Sequence, residues 1–489
     1  MAFAESACKA VLQRTALQGT MMSQEFLDAL TAALPDAVFL GDGIPARFRA
    51  DWSGLSPVMP LALVRPRDTA GVARALSLCN EHRVSVVPQG GMTGLAGGAR
   101  PIAGGVALSL DRMTGIEEID PVMATMTVQA GTPLAVVQVA AAEAGLFFGV
   151  DLGARDSCSI GGNIATNAGG NRVIRYGMTR ESVLGIEAVL ADGTVVSSLN
   201  KMLKNNAGYD LKQLFIGSEG TLGVITRAVL RLQARPAAID SAFCACPDFE
   251  AVLKLLQQAR RRLGASLTSF EVMWPSFYDF MTGRLPQLRR PFDRNHGGYV
   301  LVEASGVDAT QNGALLSELL AAGIEEGWVA DAVLPASERD ARDLWAVRES
   351  VSEYGRVMGP LTAFDVGLPT VGTDGVVAEV ESECRRRWPD AIVLAYGHIG
   401  DSNLHLVINV PASGDGQPHD EIAALVYGLV GRAGGTISAE HGIGVMKKPY
   451  LALSRSPQEL ALMARVKRAL DPNDILNTGK VAAFAELCP

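Results

Sequence analysis

The stretch that most constrains this chain is Pro88 to Ala99, Pro-Gln-Gly-Gly-Met-Thr-Gly-Leu-Ala-Gly-Gly-Ala, where five glycines in twelve residues make backbone the main chemical surface. Glycine has no Cβ and tolerates positive φ, so successive N–H groups can turn together toward one anion. A diphosphate is the natural guest. The stretch lacks the G-x-G-x-x-G that opens a dinucleotide-binding helix and the Gly-Lys-Ser/Thr of a Walker loop. Taken alone, an ordinary glycine-rich turn satisfies the same residues.

Two further blocks narrow the choice. Ser159 to Tyr176 mixes amide side chains with glycines and has no continuous apolar face, which suits a polar ligand. Lys204 to Thr226 carries Tyr209-Asp210-Leu211 and then Phe215-Ile-Gly-Ser-Glu-Gly-Thr-Leu-Gly-Val-Ile-Thr, with apolar strand-like pieces between glycine turns. With Pro88 to Ala99, these blocks resemble the FAD-binding domain of the vanillyl-alcohol oxidase and para-cresol methylhydroxylase superfamily, over about Pro57 to Leu232. The resemblance implies an α+β fold: a PCMH-type FAD-binding domain, an α+β substrate domain and a C-terminal return segment. It also implies FAD contacts at Pro88, Gly90, Gly91, Thr93, Gly94, Leu95, Gly161, Gly162, Asn163, Thr166, Gly169, Gly170, Gly223, Ile225 and, in the return segment, Asn477. Relatives with covalent FAD place a histidine in the first loop near Gly94. Pro88 to Gly98 holds no His or Cys, so a dissociable FAD is expected.

A chain of 489 residues exceeds one ordinary core. The expected divisions are an N-terminal arm and helix (1–56), the FAD domain (57–234), a substrate and metal domain (235–443) and a segment returning to the FAD domain (444–489). A net charge of -9 without a Lys/Arg-rich run argues against nucleic acid as a partner. No apolar run reaches the roughly 18 residues of a membrane span. The seven cysteines are scattered and lack cluster or zinc-ribbon spacing, which fits a reducing compartment. Cys244-Ala-Cys246 reads as strand, not as a redox pair. A cytoplasmic location is expected. Met1 to Thr20, with Lys9 and Arg14, leaves an organellar matrix as the alternative, although Met21-Met22 offers another start. A homodimer stays open.

Along the chain, Ser23 with Phe26, Leu27, Leu30 and Leu34 reads as a capped amphipathic helix, followed by a strand at Leu61–Pro66 and a helix over Thr69–His82. Strands follow at Val84–Pro88, Gly105–Leu110 and Thr125 onward, then a helix from Pro133 to Ala144. Beyond Arg235, helices are predicted in Ala245–Leu263, Gly313–Ala322, Glu338–Val357, Gly375–Arg387 and Pro457–Leu470. Strands are predicted at Tyr299–Ala304, Ala391–Tyr396 and Asn403–Val410.

Three of only six histidines fall in two short motifs. Gly397-His398-Ile-Gly-Asp401-Ser-Asn403-Leu-His405 places Asn403 and His405 on one face of a strand, and the turn at Gly400 can bring His398 round to them. Ser438-Ala-Glu440-His441-Gly442-Ile-Gly444 sets an acid and an imidazole between small residues. Two imidazoles and a carboxylate suit zinc or manganese; a lone strand histidine is more often structural. Both motifs resemble the C-terminal part of the D-2-hydroxyglutarate and D-lactate dehydrogenase branch. That resemblance assigns His398, His405 and Glu440 to a divalent metal, zinc by its donors, and His441 to proton abstraction.

A carboxylate substrate calls for a guanidinium. Arg348 and Ser352 lie one turn apart in a helical pattern, and the branch holds its substrate with an Arg and a Thr at this spacing, with a further contact here expected from Asn403. Ser352 stands in for the Thr, and the branch's following lysine is Ala363, which weakens the case for a dicarboxylate such as D-2-hydroxyglutarate and leaves room for lactate. The plain reading of Arg348 is a surface pair with Glu349 or a neighbouring acid. The expectation is an FAD-dependent dehydrogenase for a small D-2-hydroxy acid, passing electrons to an electron-transfer flavoprotein, quinone or cytochrome. Its competitors are a flavin transferase of the alkyl-dihydroxyacetone-phosphate synthase kind and a flavin-carrying subunit of a glycolate-oxidase-like complex.

Overall fold

A computed structural model describes residues 24–292 and 294–484. Ser23, and with it the expected helix cap, and the Met1–Thr20 segment lie outside the described residues. Helix 24–33 buries Phe26 and Leu30 in the same core as Val72, Leu76 and Val86, so the N-terminal helix is part of the first lobe.

Besides the small pair Leu146–Phe147 and Gln233–Ala234, the described residues of that first lobe hold two sheets. In the four-stranded one, Ala62–Val64, Val106–Ser109 and Val86–Gln89 run parallel, with Val38–Phe39 antiparallel at the edge. The helix Thr69–Glu81, capped by Asp68, buries Val72, Ala75, Leu76 and Cys79 against this core. The second sheet is antiparallel, in the order Ile116–Asp120, Thr125–Gln129, Val224–Arg231, Val183–Val189, Val195–Ser198. Glycine block one leaves from the edge of the four-stranded sheet, and block two precedes the strand Val183–Val189 of the other. The first follows the strand Val86–Gln89; the second forms the short helices Ile160–Thr166 and Val173–Tyr176.

The second lobe is built on one seven-stranded antiparallel sheet, in the order Asp331–Val333, Ala238–Cys246, Gly298–Gly306, Leu267–Met273, Ile392–Gly397, Asn403–Asn409, Thr362–Gly367. Helices Phe249–Leu263, Ala309–Glu326, Thr373–Arg387 and His419–Arg432 cover one face and complete its apolar core. Cys244 and Cys246 are buried strand residues with free thiols. On the other face, strand alternation brings Phe243, Met273, Tyr299, Leu301, Leu394, Tyr396 and Val407 against helices Pro275–Arg284 and Glu338–Glu349. Further along, the same alternation turns polar, with Glu303, Ser269, Glu271, His405 and Asp365, and there the first lobe docks: Ser269 Oγ donates to the Asn171 carbonyl at 2.6 Å.

The capped helix Pro457–Leu470 ends before Pro472, and the return segment then joins both lobes. Ile475 and Leu476 enter the first core, while Leu451 and Ala482 belong to the second. Among the described residues no helix is long and apolar enough to cross a membrane.

Candidate active site

His405 sits centrally on the polar part of the sheet face. Its cross-strand partners are Asp365 on one side and Tyr396 on the other. Just after Tyr396-Gly397 the chain makes a tight turn, Ile399–Asp401, and Ser402 takes φ +72 to re-enter the sheet. The turn folds His398 back until its ring centroid is 5.4 Å from that of His405. His405 stacks on Tyr396 at 4.9 Å and has His441 at 6.0 Å.

The second motif arrives from the opposite side. Glu440 Oε1 accepts from Gly170 N at 2.7 Å and lies 4.0 Å from His398 Nε2. One ligand atom each from His398, His405 and Glu440 lies within 4.8 Å of the others. Among the described residues a second such group is Asp365, Glu440 and His441. There Asp365 Oδ2 is already occupied by the N–H groups of Ala439, Glu440 and His441, so the first group is the better cradle for a cation.

Glu271, absent from the sequence reading, completes it. Its Oε1 is 2.6 Å from His398 Nδ1 and its Oε2 accepts from Arg348 Nε at 2.8 Å. A carboxylate on Nδ1 aims Nε2 at Glu440, the arrangement that commonly supports a metal-bound imidazole. Burial works against a charge on His398, but the Glu271 carboxylate overrides it and lifts the imidazole to about 9. His405 goes the other way: burial and the neighbouring His398 hold it well below its ordinary range, as a neutral ring. Burial raises Asp365 too, yet His441 and Lys447 win and hold it well below the carboxylate range.

All three glycine blocks meet at this point. A Cβ on Gly169 would stand 2.6 Å from Glu440 Oε1, and one on Gly444 (φ +52) would stand 2.0 Å from the Ala96 carbonyl. Val445 N donates to that carbonyl at 3.0 Å. Glu219, buried in the third block, accepts from Ile443 N at 2.7 Å and Gly444 N at 2.9 Å. Asn477 donates to Gly98 O at 3.2 Å and Glu219 O at 2.6 Å, and Lys480 Nζ donates to Gly98 O at 2.7 Å and Arg100 O at 2.6 Å. The segment with Glu440 and His441 is thus bonded to every glycine block, through the Glu440 and Glu219 carboxylates and the Val445–Ala96 backbone bond.

The expected flavin contacts divide in two. Gly90 and Gly91 press on the second block, where Cβ atoms would stand 2.4 Å from Ser159 Oγ and 1.9 Å from Ser157 O. At Gly94, beside Thr93 and the exposed Leu95, no atom lies within 4 Å of where a Cβ would point. The first loop is therefore anchored at its base and open at its tip, as a ligand cradle requires. Asn163 and Thr166 hold the short helix, bonding Cys158 Sγ and Gly162 O, while Gly162 N bonds the capping Ser159 Oγ. Gly161, Gly170 and Gly223 make room for Ala130, Asp151 and Phe215, and Gly220 closes on Pro88. Ile225 is buried in the first core, so its side chain is packing.

The substrate residues fare unequally. Arg348 is no surface residue: it is 6% exposed, paired with Glu271, and lies 4.5 Å over the Tyr396 ring. The helix expected through Val357 is interrupted after Glu349 by a 3₁₀ turn, Ser350–Glu353, where Ser350 Oγ bonds back to Val347 O at 2.7 Å, and resumes as Tyr354–Val357. Ser352 is thereby exposed, its hydroxyl 3.5 Å from Glu349 O, and it does not share the Arg348 face. Asn403 spends its amide hydrogens on Asp365 Oδ1 (2.9 Å) and Val366 O (3.2 Å), leaving its buried Oδ1 as an acceptor without a partner.

Comparison with known proteins agrees with this architecture. Residues 60–198 match the family described as FAD binding domain, and residues 235–481 match FAD linked oxidases, C-terminal domain. D-2-hydroxyglutarate dehydrogenase of Xanthomonas citri pv. viticola is 39% identical over 435 residues, 88% of this chain and 91% of that protein. The mitochondrial D-2-hydroxyglutarate dehydrogenase of Bos taurus is 38% identical over 471 residues, 94% of this chain and 84% of that one. Crystalline p-cresol methylhydroxylase with substrate bound shares the fold, with a TM-score of 0.75 over 93% of this chain and 96% of that chain at 17% identity. The chain belongs to the FAD-linked oxidases, in the branch of the D-2-hydroxyglutarate dehydrogenases.

Proposed function

We propose that the protein oxidises a D-2-hydroxy acid to the 2-oxo acid, using a non-covalently held FAD and a divalent ion, zinc by its donor set, at His398, His405 and Glu440. One observation carries the reading: those three ligand atoms, two from the 398–405 segment and one from a loop bonded to all three glycine blocks, converge within 4.8 Å of one another. When bound, the flavin supplies an acceptor for the Cα hydride and the ion a charge that acidifies the hydroxyl. The residues of the chain do the rest. His441 has Nδ1 3.8 Å from Asp365 Oδ2, which leaves Nε2 to take the hydroxyl proton. Arg348, fixed through Nε by Glu271 and with Nη2 3.4 Å from His398 Nε2, is the guanidinium placed to meet the substrate carboxylate. Asn403 Oδ1 is available as an acceptor beside them.

Ala363 pairs with Val407 across the two strands that carry Asp365 and His405. Neither offers a cation to a second carboxylate, which favours a substrate with an uncharged tail, lactate-like, over the D-2-hydroxyglutarate named in the relatives. The bovine relative's mitochondrial label supports the organellar alternative for location.

The test is anaerobic bleaching of the FAD-loaded protein by a panel of D- and L-hydroxy acids, with and without chelator. D-lactate should bleach the flavin faster than D-2-hydroxyglutarate, chelation should stop it, and His441→Ala should slow it at least about a hundredfold. Bleaching by no hydroxy acid, or near-normal rates in metal-loaded His441→Ala, would overturn the proposal.

A further inference from the structure

We propose that Asp365 is the positioning residue of this site: one buried carboxylate that locks the Glu440–His441 loop to the strand carrying His405. The inference rests on the reading above of Glu440 as ligand and His441 as base, and concerns what sets their relative position.

Asp365 is 0% exposed on the strand Thr362–Gly367 and stands directly across from His405. Its Oδ1 accepts from Asn403 Nδ2 at 2.9 Å, within the first histidine motif. Its Oδ2 accepts three consecutive backbone N–H groups of the second, Ala439 at 3.2 Å, Glu440 at 2.9 Å and His441 at 2.9 Å. Ser438 Oγ and Lys447 Nζ donate to the same oxygen, each at 3.4 Å. Three successive amides turned on one oxygen form an anion nest, which fixes the backbone of the loop residue by residue. From that backbone Glu440 leaves toward Gly170 and His398, and His441 leaves toward His405. Two side chains with different duties are thus aimed by one group that is itself fixed to the histidine strand.

The donor pattern makes the requirement specific. Donors reach both oxygens from opposite sides, so the residue must accept at both. A carboxylate does this; a carboxamide of the same shape cannot, because its NH2 must face either Asn403 Nδ2 or the three loop amides. Asp365→Asn keeps the volume and breaks the geometry. It should release the loop without disturbing the sheet.

The experiment uses FAD-loaded, zinc-loaded full-length protein. In Asp365→Asn, hydrogen exchange of a peptide spanning 436–445 should accelerate at least about tenfold while the strand 238–246 is unchanged, a split that general destabilisation would not give. The maximal rate of anaerobic flavin reduction should fall roughly 10- to 100-fold, with half-saturation by substrate moved less than about threefold, since Arg348 is untouched. Unchanged exchange in 436–445, or an unchanged maximal rate, would overturn the proposal. If Asp365→Asn holds no flavin, Asp365→Glu decides. It keeps two acceptor oxygens but shifts the loop by about one bond length, so it should retain flavin and protection yet lose at least about tenfold in maximal rate. A fully active Asp365→Glu, or two variants that both fail to bind flavin, would make Asp365 a folding residue only. If His441→Ala also reduced its flavin normally, the functional reading would fail first, and the two failures are told apart by that control.

Discussion

Loading the chelator-treated protein with zinc near pH 7 should release one proton from His398 per ion bound, and the structure sets the size of the effect. Burial opposes a charge on His398, but Glu271, 2.6 Å from Nδ1, holds the imidazole at about 9, so at pH 7 it carries a proton that an ion must displace. His405 carries none to lose, because burial keeps it neutral. Two pH units of competition weaken apparent affinity about 100-fold at pH 7 relative to the plateau above 9, or about 2.7 kcal/mol, with about a tenfold gain per unit between. Calorimetric titration of zinc in buffers of different ionisation heat measures the proton, and a competing chelator measures affinity from pH 6.5 to 9.5. In Glu271→Gln the slope between pH 7 and 9 should vanish. The same shift has a signature in the metal-free protein: a value raised from 6.5 to about 9 gives stability that is complete below 6.5 and lost as pH rises through 9. A pH-independent zinc affinity in the wild type, or two protons released from the imidazoles, would refute the assignment of roles to His398 and His405.

Other outcomes follow from packing. Gly91→Ala puts a Cβ 1.9 Å from the Ser157 carbonyl and should destabilise the flavin-free protein by about 1–3 kcal/mol, while Gly94→Ala meets nothing within 4 Å and should melt normally yet bind FAD at least about tenfold more weakly; thermal melts and flavin fluorescence titration separate the two. Arg348→Ala leaves Glu271, 0% exposed, without its guanidinium and should cost about 3–5 kcal/mol in denaturant unfolding, more than a surface pair with Glu349 could.

What the sequence disclosed, and what it hid, have physical causes. Glycine blocks and closely spaced histidines are local signals: a turn at Gly400 and alternation from Asn403 suffice to bring His398 to His405. Glu271 and Asp365 are single acids inside apolar strands, Leu267–Met273 and Thr362–Gly367, and their partners are remote; Glu271 and His398 are 127 residues apart. A lone acid in a strand otherwise built for burial was the available clue, since such a group is rarely buried unpaired. The Arg348–Ser352 pairing failed for a local reason, serine hydroxyls competing for helix carbonyls. Several glycines expected to touch flavin also relieve contacts inside the protein, a second duty that spacing alone does not encode.

The central claim is that imidazoles and an acid from two distant segments hold one ion beside the flavin cradle. Anomalous diffraction at the zinc edge, from crystals of the zinc- and FAD-loaded protein, tests it most directly. One strong peak is expected, within about 2.0–2.2 Å of His398 Nε2, a His405 nitrogen and a Glu440 oxygen. A peak elsewhere, with those three side chains free of metal, would contradict it.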